Sequence, residues 1–174
     1  MKRLAPFVMV LLMYACSSTQ VSYDYDKTVD FTKFKTYAYT PEALALPIQE
    51  LNRNRLLAAI DEQMTKRGYS KVTTSPDVLI DVQVKADMKQ TATTTGTGGM
   101  YGYRWGGGMT TTQINDYVEG TLFINMIANN NLVWQGRAVK TLDESASPEK
   151  RTQNINNAVE DIYTKYPKPV AAKK

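Results

Sequence analysis

Between Val78 and Lys89 the chain alternates its side chains with a period of two residues. Val78, Ile80, Val82, Val84, Ala86 and Met88 fall on one side, and Leu79, Asp81, Gln83, Lys85, Asp87 and Lys89 on the other. That repeat fits a pleated strand, because a helix would scatter the apolar positions around its axis. The chain is thereby committed to a sheet with one face in a core and the other largely in water. Pro76-Asp77 marks the point where the strand begins.

The other elements must cover that sheet. A second long strand is predicted from Asn115 to Ala128, with Val118, Leu122, Ile124 and Met126 inward. Its outer side is half apolar, since Tyr117, Phe123 and Ile127 interrupt Glu119, Thr121 and Asn125, and the next strand adds Val133 and Val139. Such a face is either covered by the chain's own loops or used for contact, and coverage by the loops is the expectation. Asn129-Asn130-Asn131 supplies a turn, and Leu132 to Thr141 returns with Trp134. Shorter strands are predicted where Val21, Tyr23 and Tyr25 alternate with polar neighbours, and over Phe31 to Tyr39.

Two helices complete the reading. From about Gln49 to Arg67, Leu56, Leu57, Ile60 and Met64 form one stripe, ended by Gly68 with Lys66 and Arg67 in the last turn. Ser147-Pro148-Glu149 opens the second, whose stripe of Ile155, Ala158, Val159, Ile162 and Tyr166 runs to the stop at Pro167. The order β-β-α-β-β-β-α predicts an α+β two-layer sandwich, a mixed and mainly antiparallel sheet of about five strands with two helices on one face. The strand-helix-strand unit sets strands two and three parallel.

The chain's 174 residues include no histidine and a single cysteine, Cys16. Serine–histidine and cysteine–histidine nucleophiles, histidine-ligated zinc, internal disulfides and thiolate clusters are therefore excluded. No cofactor and no metal are expected. Asp24, Asp26 and Asp30 lack the bidentate glutamate of a calcium loop and are read as structural acids. Asp81, Asp87 and Glu119 share one sheet face with Lys85 and Lys89, which predicts exposed cross-strand ion pairs.

The first residues set an address. Met1-Lys2-Arg3 is basic, and Leu4 to Ala15 is mostly apolar but shorter than the roughly 20 residues that span a bilayer, as in a signal peptide. The run ends at Ala15-Cys16, followed by Ser17-Ser18-Thr19-Gln20, and this resembles a bacterial lipobox. By that resemblance residues 1–15 are removed, Cys16 is lipidated, and residues 16–20 tether a single domain over 21–167, leaving 168–174 as a basic tail. A multiply acylated N-terminus holds a domain on a membrane durably. Ser17 in place of an aspartate favours the outer membrane, and the absence of an acidic cluster after Cys16 favours a periplasm-facing domain. Loss of Lys2 and Arg3 lowers the 21 basic residues to 19 against 17 acidic, a formal charge of +2. With its basic residues scattered, the chain offers no nucleic-acid footprint.

Residues 91–113 are Thr-rich arms around a glycine-rich centre. Tyr101, Tyr103, Arg104 and Trp105 there form a candidate partner-binding loop for an envelope protein, a glycan or a lipid surface, set against a plain hairpin tip or aromatics folded back on the sheet. Gly96-Thr97-Gly98-Gly99 is no phosphate loop, because no Gly-Lys-Ser/Thr follows and no helix opens after it.

Several blocks in a fixed order carry a wider resemblance: Val21-Ser22-Tyr23-Asp24-Tyr25-Asp26, Asp30 to Ala38, Arg67-Gly68-Tyr69, Pro76-Asp77-Val78-Leu79, Tyr117 to Leu122, and Leu132 to Gly136. The mature sequence resembles the bacterial lipoprotein family known as domain of unknown function forty-one thirty-six. The resemblance implies a small α+β envelope lipoprotein and brings no catalytic residues. The expectation is a non-catalytic, outer-membrane-anchored binding or structural module. The alternative is a hydrolase of envelope polymers working through two carboxylates, which requires a cleft with facing acids about 5–9.5 Å apart.

Overall fold

The computed structural model describes residues 19–96 and 110–167, so the expected signal peptide, Cys16 and the basic tail lie outside the described residues. In chain order the strands are β1 (Gln20–Tyr25), β2 (Thr36–Tyr39), β3 (Ser70–Lys71), β4 (Val78–Gly96), β5 (Thr110–Ala128) and β6 (Asn131–Thr141). The helices are α1 (Pro41–Leu44), α2 (Glu50–Lys66) and α3 (Pro148–Tyr163). One six-stranded sheet runs in the order β1-β6-β5-β4-β2-β3. β2 is parallel to β3 and to β4, and every other pairing is antiparallel. The predicted α+β sandwich is the observed architecture, with the parallel pair where the strand-helix-strand unit puts it.

The inward face of the sheet meets α2 and α3. Val78, Ile80, Val82, Ile124, Met126 and Trp134 are almost wholly buried there against Ile60, Met64, Val159, Ile162 and Tyr163. Gly136 lets α3 come this close. A Cβ at Gly136 would collide with the Ile162 Cγ2 methyl and the Trp134 ring. Gly120 also lacks room, but its neighbour is Leu142 Cδ2 at 2.7 Å, and Leu142 is 44% exposed and free to turn away. Gly136→Ala is therefore expected to cost about 1–3 kcal/mol, the range for overpacking a core, while Gly120→Ala stays near neutral. Urea midpoints of the two variants check this, and equal midpoints would remove the distinction.

The C-terminal ends of the helices are locked together. Gly68 takes φ +82°, the left-handed conformation that ends α2 and turns the chain towards β3. Arg67 donates from Nη2 to the Tyr163 carbonyl at 2.6 Å, and its guanidinium lies over the rings of Tyr163 and Tyr166. Tyr69 and Tyr166 share a hydroxyl–hydroxyl bond of 2.5 Å. α3 stops at Tyr163 rather than running to Tyr166, because Lys165 and Tyr166 bond back three residues to Ile162 and Tyr163 and tighten the last turn.

Four further departures from expectation have local causes. The strand expected from Phe31 begins only at Thr36, since Asp30 accepts from the Thr32 amide (3.0 Å) and hydroxyl (2.6 Å) and winds Phe31–Lys33 into a 3-10 turn. Helix α1, absent from the prediction, is capped by Thr40 with Pro41 in its first turn. The sixth strand, β3, is two residues long and pairs with Thr36 and Tyr37. Finally, β4 and β5 run on together past the rest of the sheet. From the Met88–Val118 pair to the Gly96–Thr110 pair they form a two-stranded arm, roughly 27 Å long at strand rise. Ala86 and Met88, expected in the core, are exposed, Ala86 because the helices stand off from the sheet there and leave it at a cleft, Met88 because it begins the two-stranded arm.

Asp77 ties the start of β4 to β2. Its Oδ2 accepts from the amides of Lys35 and Thr36, both at 2.8 Å, and from the Thr36 hydroxyl at 2.9 Å. These bonds hold its pKa below the ordinary 3.8, so the stabilisation is present above that value and is lost as pH falls through the lower, folded one. Asp77→Asn is expected to lower the melting temperature at pH 7, with the gap to the parent closing as the pH is taken towards 2. A gap independent of pH would mean the charge plays no part.

Candidate functional site

The helices that meet at their C-terminal ends leave an opening at the other end. Between the N-terminal halves of α2 and α3 and the sheet lies a cleft of about 570 Å³. Its floor is Val84, Ala86, Leu122 and Ala138, and Leu56 and Ile155 form its helical walls. The floor is roomy because two of these floor residues are alanines and Gly120 lies beside them.

One residue breaks the apolar lining. The inward positions of β6 run Trp134, Gly136, Ala138 and then Lys140, a half-buried cation on the helix-facing side. Its Nζ donates to Asn154 Oδ1 of α3 at 3.1 Å, and among the described residues no carboxylate pairs with it. Arg151, also at the cleft, donates to the carbonyls of Ala146 (2.9 Å) and Glu144 (2.7 Å). The acids lining the cleft are Asp143 and Glu144, neighbours on one connection. Asp143 accepts from the Ser145 hydroxyl (2.6 Å) and amide (3.0 Å), which holds its carboxyl below the ordinary range. Among the described residues no acid lines the facing helices or floor.

A second polar cluster joins α2 to the sheet. Asp61 accepts at Oδ1 from the hydroxyls of Tyr37 and Tyr39, each at 2.7 Å, and at Oδ2 from Lys71 at 3.0 Å. Burial first, and the Asp61 bond second, push both tyrosines far above their ordinary pKa. They are fixed donors to a carboxylate already in use, an arrangement that holds elements together and offers no free base.

On the outer face of the sheet, Asp81 accepts from Asn125 (3.0 Å), Gln83 (3.0 Å) and Thr40 (3.3 Å), and Asn125 accepts from Gln135 at 2.8 Å. The cross-strand ion pairs expected of Asp81, Asp87 and Glu119 do not form. Amide donors satisfy Asp81, Asp87 stands opposite Glu119, and Lys85 lies over the Phe123 ring at 5.6 Å. Arg137 covers the same ring at 5.7 Å, so Phe123 is shielded by long side chains of neighbouring strands rather than by the loops expected to cover it. Leu132, at 54% exposure, is left open. Asp26 and Asp30 serve turns through Thr28 and Thr32, as structural acids. Among the described residues no three His, Cys, Asp or Glu gather as metal ligands, and no helix is long and apolar enough to cross a membrane.

Of the residues singled out in the sequence, Cys16, Tyr101, Tyr103, Arg104 and Trp105 lie outside the described residues, the last four between the ends of the arm at Gly96 and Thr110. The cleft went unread.

A mixed sheet backed on one face by two long helices, with a cleft at the helices' open end, defines the class: a small α+β sandwich. The chain belongs to the family described as Domain of unknown function (DUF4136), whose profile matches residues 21–168. No curated protein sequence matches it. Among solved structures it is similar to a PDZ domain protein from Parabacteroides distasonis ATCC 8503, with a TM-score of 0.51 and 18% identity over 90% of this chain and 37% of that one. The chain thus spans little more than a third of that protein, and the likeness is one of fold. A weaker similarity links it to PelC from Paraburkholderia phytofirmans, crystallised as a dodecamer. There the TM-score is 0.45 and the identity 9%, over 90% of this chain and all of that one.

Proposed function

We propose that the protein is a lipid-anchored module of the cell envelope, held in the outer membrane through Cys16 and facing the periplasm, that acts by binding rather than by catalysis. The observation that carries the binding reading is the composition of the cleft: apolar floor, amide and cationic rim, and acids confined to one connection. Acid–base hydrolysis needs two carboxyl groups on opposite sides of a substrate, and the walls of this cleft supply only one side. The anchor rests on the sole cysteine at the end of an apolar run, a position where a free thiol has no evident use.

The test is to express the full chain and Cys16→Ala in a Gram-negative host, fractionate the membranes, and measure intact mass. Loss of membrane association together with a mass change in Cys16→Ala is the expected result. An alanine variant that stays membrane-bound with the same processing would overturn the anchor.

A further inference from the structure

We infer that the cleft between α2, α3 and the sheet takes a single-chain amphiphile with one anionic head, its aliphatic chain on the floor and its head at Lys140. The inference deepens the binding reading above and rests on it. Three observations carry it. The first is size, since about 570 Å³ lies within the ordinary range for small-molecule sites and a fully packed domain leaves no such space beside its core.

The second is the floor. Val84, Ala86 and Leu122 are partly or fully open to the cleft, beside the buried Ala138, where the same strands, a few residues away, are sealed by α2 and α3. Apolar surface left in water at this position favours an apolar occupant. The third is Lys140. At the fourth inward position of a core strand stands a lysine in place of an apolar side chain, and its ammonium faces an amide rather than a carboxylate. A cation beside an apolar chamber, without a counter-charge of its own among the described residues, complements an anionic head on an apolar tail. Asn154 holds the ammonium at the rim, and of the two acids lining the cleft neither Asp143, whose Oδ1 accepts from Ser145, nor Glu144 forms an ion pair with Lys140.

The full chain, reconstituted in vesicles of neutral phospholipid, is exposed to three photoactivatable probes of equal chain length: a fatty acid, a lysophosphatidic acid and a fatty alcohol. Adducts are mapped by peptide mass spectrometry. Both acids are expected to label segments containing Leu56, Leu122 or Ile155, and stronger labelling by one identifies carboxylate or phosphate as the preferred head. The alcohol is expected to label these segments about tenfold less at equal concentration, as is the fatty acid with Lys140→Gln. Ala158→Leu and Ala86→Leu, which fill the cleft from the helix and the sheet, are expected to abolish cleft labelling while leaving the melting temperature near that of the parent. If one of them unfolds, the other serves.

Equal labelling by alcohol and acid would overturn the role of Lys140, and adducts confined to surfaces outside the cleft would overturn the site. Intact mass on the same sample reports Cys16 separately. Correct lipidation with no cleft adducts would sink this inference alone, whereas cleft adducts on an unlipidated chain would sink the anchor and leave the site standing.

Discussion

Trp134→Ala is expected to lower the unfolding free energy by about 3–5 kcal/mol, much of what a domain of this size has to lose. Trp134 is fully buried at the middle of the inward face, with its ring 5.4 Å from Tyr163 and 5.2 Å from Tyr166, and Gly136 two residues on leaves its far edge against α3. Among the described residues its indole Nε1 has no hydrogen-bond partner, so what the residue contributes is packing, less the cost of the buried donor. Trp134→Phe, which keeps an aromatic ring and removes the unpartnered donor, is expected to cost less than half as much. Urea unfolding checks both, with the midpoint moving and the slope held. A loss below about 1 kcal/mol for the alanine variant would place the centre of the core elsewhere.

Stability is also expected to fall steeply above pH 10. Tyr39, Tyr163 and Tyr166 all have their pKa raised well above the ordinary 10.0, by burial first and then by Asp61 for Tyr39 and Tyr69 for Tyr166. The folded chain therefore keeps protons that the unfolded chain releases. Their contribution is complete below pH 10 and is lost as the pH rises above it, at about 1.4 kcal/mol per pH unit for each tyrosine that stays protonated. Tyr37, raised by burial and by its bond to Asp61, adds its own share. Tyr163 offers a control because its hydroxyl, like the Trp134 indole, has no partner among the described residues. Tyr163→Phe is expected to leave stability at pH 7 unchanged or slightly raised, and to flatten the alkaline slope by one tyrosine's share. A chain whose stability is flat from pH 9 to 12 would contradict the burial of these groups.

The periodic elements were legible in the sequence because each is held by a repeated apolar pattern. Val78 to Val84 and Leu122 to Met126 fill the inward face as read, and Gly68 ends α2 as read. Signals carried by one or two residues fared worse. Thr40-Pro41-Glu42 has the same cap, proline and acid as Ser147-Pro148-Glu149, but only the second precedes a stripe long enough to announce a helix. Asp30 broke a strand by two short bonds that no pattern records. The ion pairs expected around Asp81 failed because alternation fixes which face a side chain takes, while the choice between an amide and an ammonium partner is settled by rotamers. The cleft had one legible signal. Lys140 follows Trp134, Gly136 and Ala138 at core spacing, and a charge at a core position is the kind of exception that marks a site.

The arm formed by β4 and β5 has a mechanical consequence. These are the two middle strands of the sheet, and each is bonded to a neighbour on its far side within the body, β4 to β2 and β5 to β6. A tug on the distal end is thus spread over several ladders sheared lengthwise at once, whereas a tug on β1 at the rim would unzip its bonds in succession. Single-molecule stretching through residue 94 is expected to need a higher rupture force than stretching through residue 20. The domain is built like a tool with its handle set through the head.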